Sequence, residues 1–243
     1  TRWDSEEEDD EAPASAPAPA SPAPATGVLR DGRRFVALFC SPTIGPLAYL
    51  AEAEQMLETG VLSAEENNLS QGATFDALEP LMDQYDPHIL WFCGHGDVTL
   101  SGRKTLGWTT ASGGLQLLDA RTCAALLGRY TPSHGGSLEC VVTNACCTSE
   151  PTSGGAATSA ASSELICPLL REHGVPVVIG WSTLVSDAAG PFFALGFLKS
   201  LQAGHSYASA FASGKDMVTQ QREGPDAELL VLKTDTNPFI GKA

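Results

Sequence analysis

The chain has 243 residues and a formal net charge of −15, from 29 acidic and 14 basic side chains. Asp4, Glu6, Glu7, Glu8, Asp9, Asp10 and Glu11, with Arg2, carry −6 of that total, so the remainder is acidic too, at −9. This balance argues against nucleic acid or an anionic membrane as partner and favours a basic peptide or protein surface. The length suits one large α/β domain, or a domain plus a tail, and the 43% hydrophobic content supplies a real core.

Seven cysteines, at 40, 93, 123, 140, 146, 147 and 167, form neither a disulfide scaffold nor a zinc-ligand pattern. Cys40, Cys93 and Cys140 lie in apolar runs, where a reduced thiol acts as a small hydrophobe. A reducing, cytoplasmic compartment is expected. No apolar run reaches the ~18 residues of a membrane span. The longest candidate, Val175 to Val185, is interrupted by Gly180 and stopped by Asp187.

Residues 1–27 pair an acidic block with Ala/Pro repeats that offer little core, which predicts a disordered, semi-stiff linker. The chain opens on Thr1, which predicts a fragment or processed chain with further domains upstream. A domain over 28–243 follows. Arg34 to Cys40 reads as its first strand. Pro46 to Glu58 and Thr74 to Tyr85 carry apolar residues at helical spacing, with Thr74 a candidate cap. His88 to Cys93 is a buried strand that breaks into a Gly94-His95-Gly96 turn. Val98 to Leu118, punctuated by glycines, predicts a small hairpin that Asp97 would cap.

Ala120 to Tyr130 is a helix, and Leu138 to Thr143 a second central strand that breaks at Cys146. A polar Ser/Gly loop follows. Leu165 to His173 is helical and Val175 to Gly180 another buried strand. Ala188 to Leu201 and Tyr207 to Gln220 are helices, and Leu229 to Leu232 a last edge strand. Apolar strands alternating with helices predict a mostly parallel sheet covered on both faces. Sites in such folds lie at the carboxyl ends of strands, which is where His95 and Cys146 stand.

A histidine and a thiol at one sheet edge suit nucleophilic catalysis. Imidazole can take the thiol proton, and backbone N–H groups can hold the oxyanion. Gly96, without a side chain, and Cys146 are the candidate donors. Each residue also has a plainer reading. His95 can be a strand-end histidine, Cys146 a core thiol, Asp187 a helix N-cap, and Cys147 a neighbour of the nucleophile. His88, His134, His173 and His205 read as structural, and Trp91, Trp108 and Trp181 as packing. The chain lacks the phosphate-cradling loop or clustered acids of a flavodoxin-like or receiver domain.

Cys93-Gly94-His95-Gly96-Asp97 resembles the Gly-His-Gly of clan CD cysteine peptidases (caspases, metacaspases, separase), and Asn144-Ala145-Cys146 their Ala-Cys nucleophile, 51 positions later. Cys147 and Thr148 depart from the usual residues after that cysteine. Gly174 to Gly180, Leu184 to Asp187 and Phe197 to Gly204 resemble the caspase-like CHAT domain. The resemblance implies a three-layer α/β/α sandwich and a cysteine endopeptidase acting on peptides or proteins, with Cys146 as nucleophile and His95 as base. It implies Asp187 as an acidic S1 group for a basic P1 side chain. No metal or organic cofactor is required. The alternative is an idle or partner-activated CHAT interaction module within a larger protein.

Overall fold

Four strands are buried along almost their whole length: β2 (Arg34–Phe39), β3 (Ile89–Cys93), β7 (Cys140–Asn144) and β8 (Val177–Trp181). Their apolar runs do not alternate with polar residues, which is the pattern of strands covered on both faces. The computed structural model describes residues 25–40, 49–62, 74–100, 103–145, 165–182, 189–221 and 230–234. Cys146, Cys147, Asp187 and positions 1–24 of the expected linker lie outside these.

The buried strands pair in parallel in the order β2-β3-β7-β8. Antiparallel strands close each edge, β1 (Ala25–Val28) on β2 and β9 (Leu230–Thr234) on β8. β1 takes in residues 25–27, the end of the linker expected over 1–27. Ala25-Thr26-Gly27 is too small to read as a strand, yet it pairs with Ala37, Val36 and Phe35. A Cβ on Gly27 would stand 1.8 Å from the Val61 carbonyl oxygen, so glycine is what lets this edge meet the segment at 61–62.

Helices cover both faces. One face packs against α1 (Tyr49–Glu58), α5 (Ala189–Gln202) and α6 (Tyr207–Gln221). Trp91 stacks there on Phe193 at 5.9 Å, and Phe193 on Phe197 at 5.5 Å. The other face packs against α2 (Leu78–Tyr85), α3 (Ala120–Gly128) and α4 (Ile166–Glu172). These are the three layers of an α/β/α sandwich. Asp119 caps α3 by accepting the Arg121 N–H at 2.8 Å. Thr74 precedes a short 3-10 turn, Phe75–Ala77, without bonding it through its side chain, so the expected cap is not made.

The expected hairpin is a three-stranded antiparallel sheet: β4 (His95–Leu100), β5 (Arg103–Thr109) and β6 (Leu115–Asp119). It begins at His95, so the expected Gly-His-Gly turn is a corner at which the chain passes from one sheet to another. Trp108 of β5 anchors the small sheet, with its ring 5.0 Å from Phe92 and 5.4 Å from Phe75. No helix among the described residues is long and apolar enough to cross a membrane.

Candidate active site

The geometry of the site starts from one register. β3 and β7 are parallel neighbours, and their last residues, Cys93 and Asn144, are partners. Both strands therefore end at the same level of the same sheet edge. Gly94 alone separates Cys93 from His95, and Ala145 alone separates Asn144 from Cys146.

His95 is the first residue of β4 and pairs with Gly107 of β5. The register then shifts between His95 and Val98, an irregularity that breaks the regular pairing just after the histidine. A Cβ on Gly107 would lie 2.8 Å from the His95 Cβ, so the glycine leaves the room that His95 occupies. His95 and Gly96 are partly exposed while Cys93 and Gly94 are buried. The imidazole thus stands where the covered core gives way to solvent. Asp97 lies within β4 rather than at the end of a hairpin.

The described cysteines are Cys40, Cys93, Cys123, Cys140 and Cys167, and all five are buried. Burial disfavours a thiolate, which pushes Cys40 and Cys140 far up and Cys123 up to about 12. These three are poor nucleophiles at neutral pH. His88, His134 and His205 each have a hydrogen-bond partner away from the candidate site, consistent with structural roles. The Arg34 N–H donates to His88 Nδ1 at 3.2 Å, His134 Nδ1 lies 3.1 Å from Thr131 Oγ1, and His205 Nδ1 lies 3.1 Å from Ser200 Oγ.

Beneath the edge lies a polar relay that was not anticipated. Glu52 of α1 is 3% exposed and accepts hydrogen bonds from Trp91 Nε1 and, at 2.5 Å, from Asn144 Nδ2. Asn144 Oδ1 accepts from Trp181 Nε1 at 2.5 Å. Two tryptophans read as packing residues thus also donate into the site. The sequence held one signal for Glu52: it stands four positions before Met56, which is fully buried, and so on the apolar stripe of its helix.

The CHAT domain family profile matches residues 10–229. The chain belongs to the CHAT domain family. The layers of this CHAT domain are those of the caspase-like sandwich that the motifs at 93–97 and 144–146 imply. The crystal structure of the Arg specific cysteine proteinase gingipain R is similar to it with a TM-score of 0.48 and 11% identity. The match covers 80% of this chain and 43% of that one, so the CHAT domain spans less than half the length of that protein. No match is found among curated proteins.

Proposed function

We propose that this CHAT domain is a cysteine endopeptidase. The observation that carries the reading is the pairing of Cys93 with Asn144, from which His95 and Cys146 each follow by two positions. Two residues span at most about 7 Å, so each group stays close to its strand end. His95 takes the Cys146 proton, and the thiolate sulfur bonds to the scissile carbonyl carbon. The N–H groups of Gly96 and Cys146 hold the resulting oxyanion. The carbon–nitrogen bond breaks as the imidazolium donates its proton to the leaving amine. Water, deprotonated by the imidazole, then hydrolyses the thioester and restores the thiol.

Asp187, two positions before α5 begins, is the proposed S1 carboxylate for Arg or Lys at P1. The acidic balance of the chain supports a basic substrate. The test is hydrolysis of fluorogenic peptides with Arg, Lys or Asp at P1 by wild type, Cys146→Ala and Asp187→Asn. Wild type is expected to cleave after Arg and Lys, Cys146→Ala to be inactive, and Asp187→Asn to lose the basic preference. Equal rates for wild type and Cys146→Ala would remove Cys146 from the mechanism.

A further inference from the structure

Glu52 occupies the first turn of α1 and points its carboxylate into the sheet-facing core. A carboxylate this deeply covered is costly unless hydrogen bonds hold it. The positive end of the helix dipole favours its charge there. Its two oxygens reach different strands: Oε1 accepts from Trp91 of β3 and Oε2 from Asn144 of β7. Asn144 in turn accepts from Trp181, the last residue of β8.

The amide of Asn144 has only one orientation that satisfies both neighbours. Flipped, its carbonyl would face the Glu52 carboxylate and its NH2 the Trp181 N–H. α5 closes the relay from above. A Cβ on Gly190 would stand 2.4 Å from Asn144 Nδ2 and 3.1 Å from Glu52 Oε2, so glycine lets the start of α5 rest directly on the pair. The relay therefore joins α1, three neighbouring strands and α5 at the carboxyl edge of the sheet.

Stability alone gives a weak reason for it. A buried ionic group is often no better than apolar packing of the same volume. Its distinctive property is direction, because a satisfied polar network selects one arrangement of its members. Asn144, bonded on both sides of its amide, ends β7 two positions before Cys146.

We propose that Glu52 is a positioning residue, whose bond to Asn144 fixes the end of β7 and thereby the departure of the chain toward Cys146. This rests on the reading of Cys146 as the nucleophile. The relay admits a polarity swap that tests it. Glu52→Gln sets a donor against a donor, and Asn144→Asp sets a carboxylate against a carboxylate. In the double variant Glu52→Gln/Asn144→Asp the amide at position 52 donates to the carboxylate at position 144. Both indoles then keep an acceptor, and the pair keeps one negative charge.

The experiment follows inactivation by a peptidyl electrophile ending in Arg, across inhibitor concentrations. Binding and maximal rate are thus separated, and mass spectrometry assigns the modified thiol. Near-UV circular dichroism checks folding. Each single variant is expected to lose about 10- to 100-fold in maximal rate at unchanged inhibitor binding, as a displacement of about 1 Å would produce. The double variant is expected to return close to the wild-type rate. Should the single variants fail to fold, Glu52→Asp, which keeps the charge and shortens the reach, is expected to show the same loss. Folded variants that react at the wild-type rate, or a double variant no faster than the singles, would overturn the proposal while leaving Cys146 as nucleophile. Wild type unmodified at Cys146 would instead remove the peptidase reading, and the proposal with it.

Discussion

Cys93 and Asn144 face each other across β3 and β7 as register partners, and Cys93 is buried while Asn144 is only partly so. The parallel pairing has a chemical consequence. In an antiparallel pair the residues following these two would leave at opposite edges. In the parallel pair both chains leave at the same edge, which is the geometry that the proposed pairing of His95 with Cys146 requires. The covered thiol Cys93 belongs to the core, and the proposed site begins just beyond it.

Two adjacent cysteines follow β7, and the peptidase reading assigns the reaction to the first. Cys146→Ala and His95→Ala are each expected to lower kcat/KM by at least about 10³-fold, in line with the loss of a nucleophile or its base. Cys147→Ala is expected to stay near wild type. Peptide hydrolysis by the three variants decides between the thiols, and a dead Cys147→Ala beside an active Cys146→Ala would move the nucleophile one position.

Gly107 tests whether the small sheet sets the histidine. A methyl at this position would come within 2.8 Å of the His95 Cβ and 3.1 Å of Leu115 Cδ1. The Leu115 side chain can give by a few tenths of an ångström, but the His95 Cβ cannot, so β4 and β5 must move relative to each other. Gly107→Ala is expected to cost about 1–3 kcal/mol, as overpacking does, and to lower kcat more than stability alone explains. Denaturant unfolding and steady-state kinetics on the same preparation read both effects. Unchanged kcat in a destabilised protein would show that His95 tolerates the shift.

The central sheet was legible in the sequence because strands covered on both faces are largely apolar, as Ile89–Cys93 is throughout and β7 is until Thr143 and Asn144. The neighbours of His95 were legible for a different reason, since glycine on either side marks a sharp change of direction. The Glu52 relay was not read, because an acid within a helix ordinarily faces water and only its spacing from Met56 hinted otherwise. β1 was hidden by small residues that a Pro/Ala composition assigns to a linker. The small sheet was read as a hairpin because its first strand starts on the residue taken for a turn. The site itself was legible only as motifs. His95 and Gly96 take their places in β4, whereas Cys146 and Asp187 fall outside the described residues.

Burial is common to all the described thiols. Cys40, Cys93, Cys123, Cys140 and Cys167 are each 5% exposed or less. Brief iodoacetamide treatment of the native protein, followed by peptide mapping, is expected to leave all five unmodified. The same treatment in guanidinium is expected to modify them all. Native alkylation of Cys123, whose burial pushes its pKa to about 12, would show that α3 opens readily.

His88 gives the fold a pH dependence away from the site. Its Nδ1 accepts the Arg34 N–H at 3.2 Å, at the amino end of the sheet, and can do so only while that nitrogen is unprotonated. Burial, then the Arg34 charge, lowers its pKa below the ordinary 6.5, although Glu139 and Asp86 pull the other way. Just below pH 6.5 the unfolded chain therefore binds more protons at this residue than the folded one, so its contribution to stability rises with pH. That contribution is complete above the unfolded pKa and declines as pH falls, until the folded pKa is passed. Asparagine offers an acceptor at a similar position but does not titrate. His88→Asn is accordingly expected to flatten the loss of urea stability between pH 6.5 and the acid side, with little change at pH 8. The measurement is the unfolding midpoint of both proteins across this range. An equally steep decline in the variant would assign the acid sensitivity to other groups.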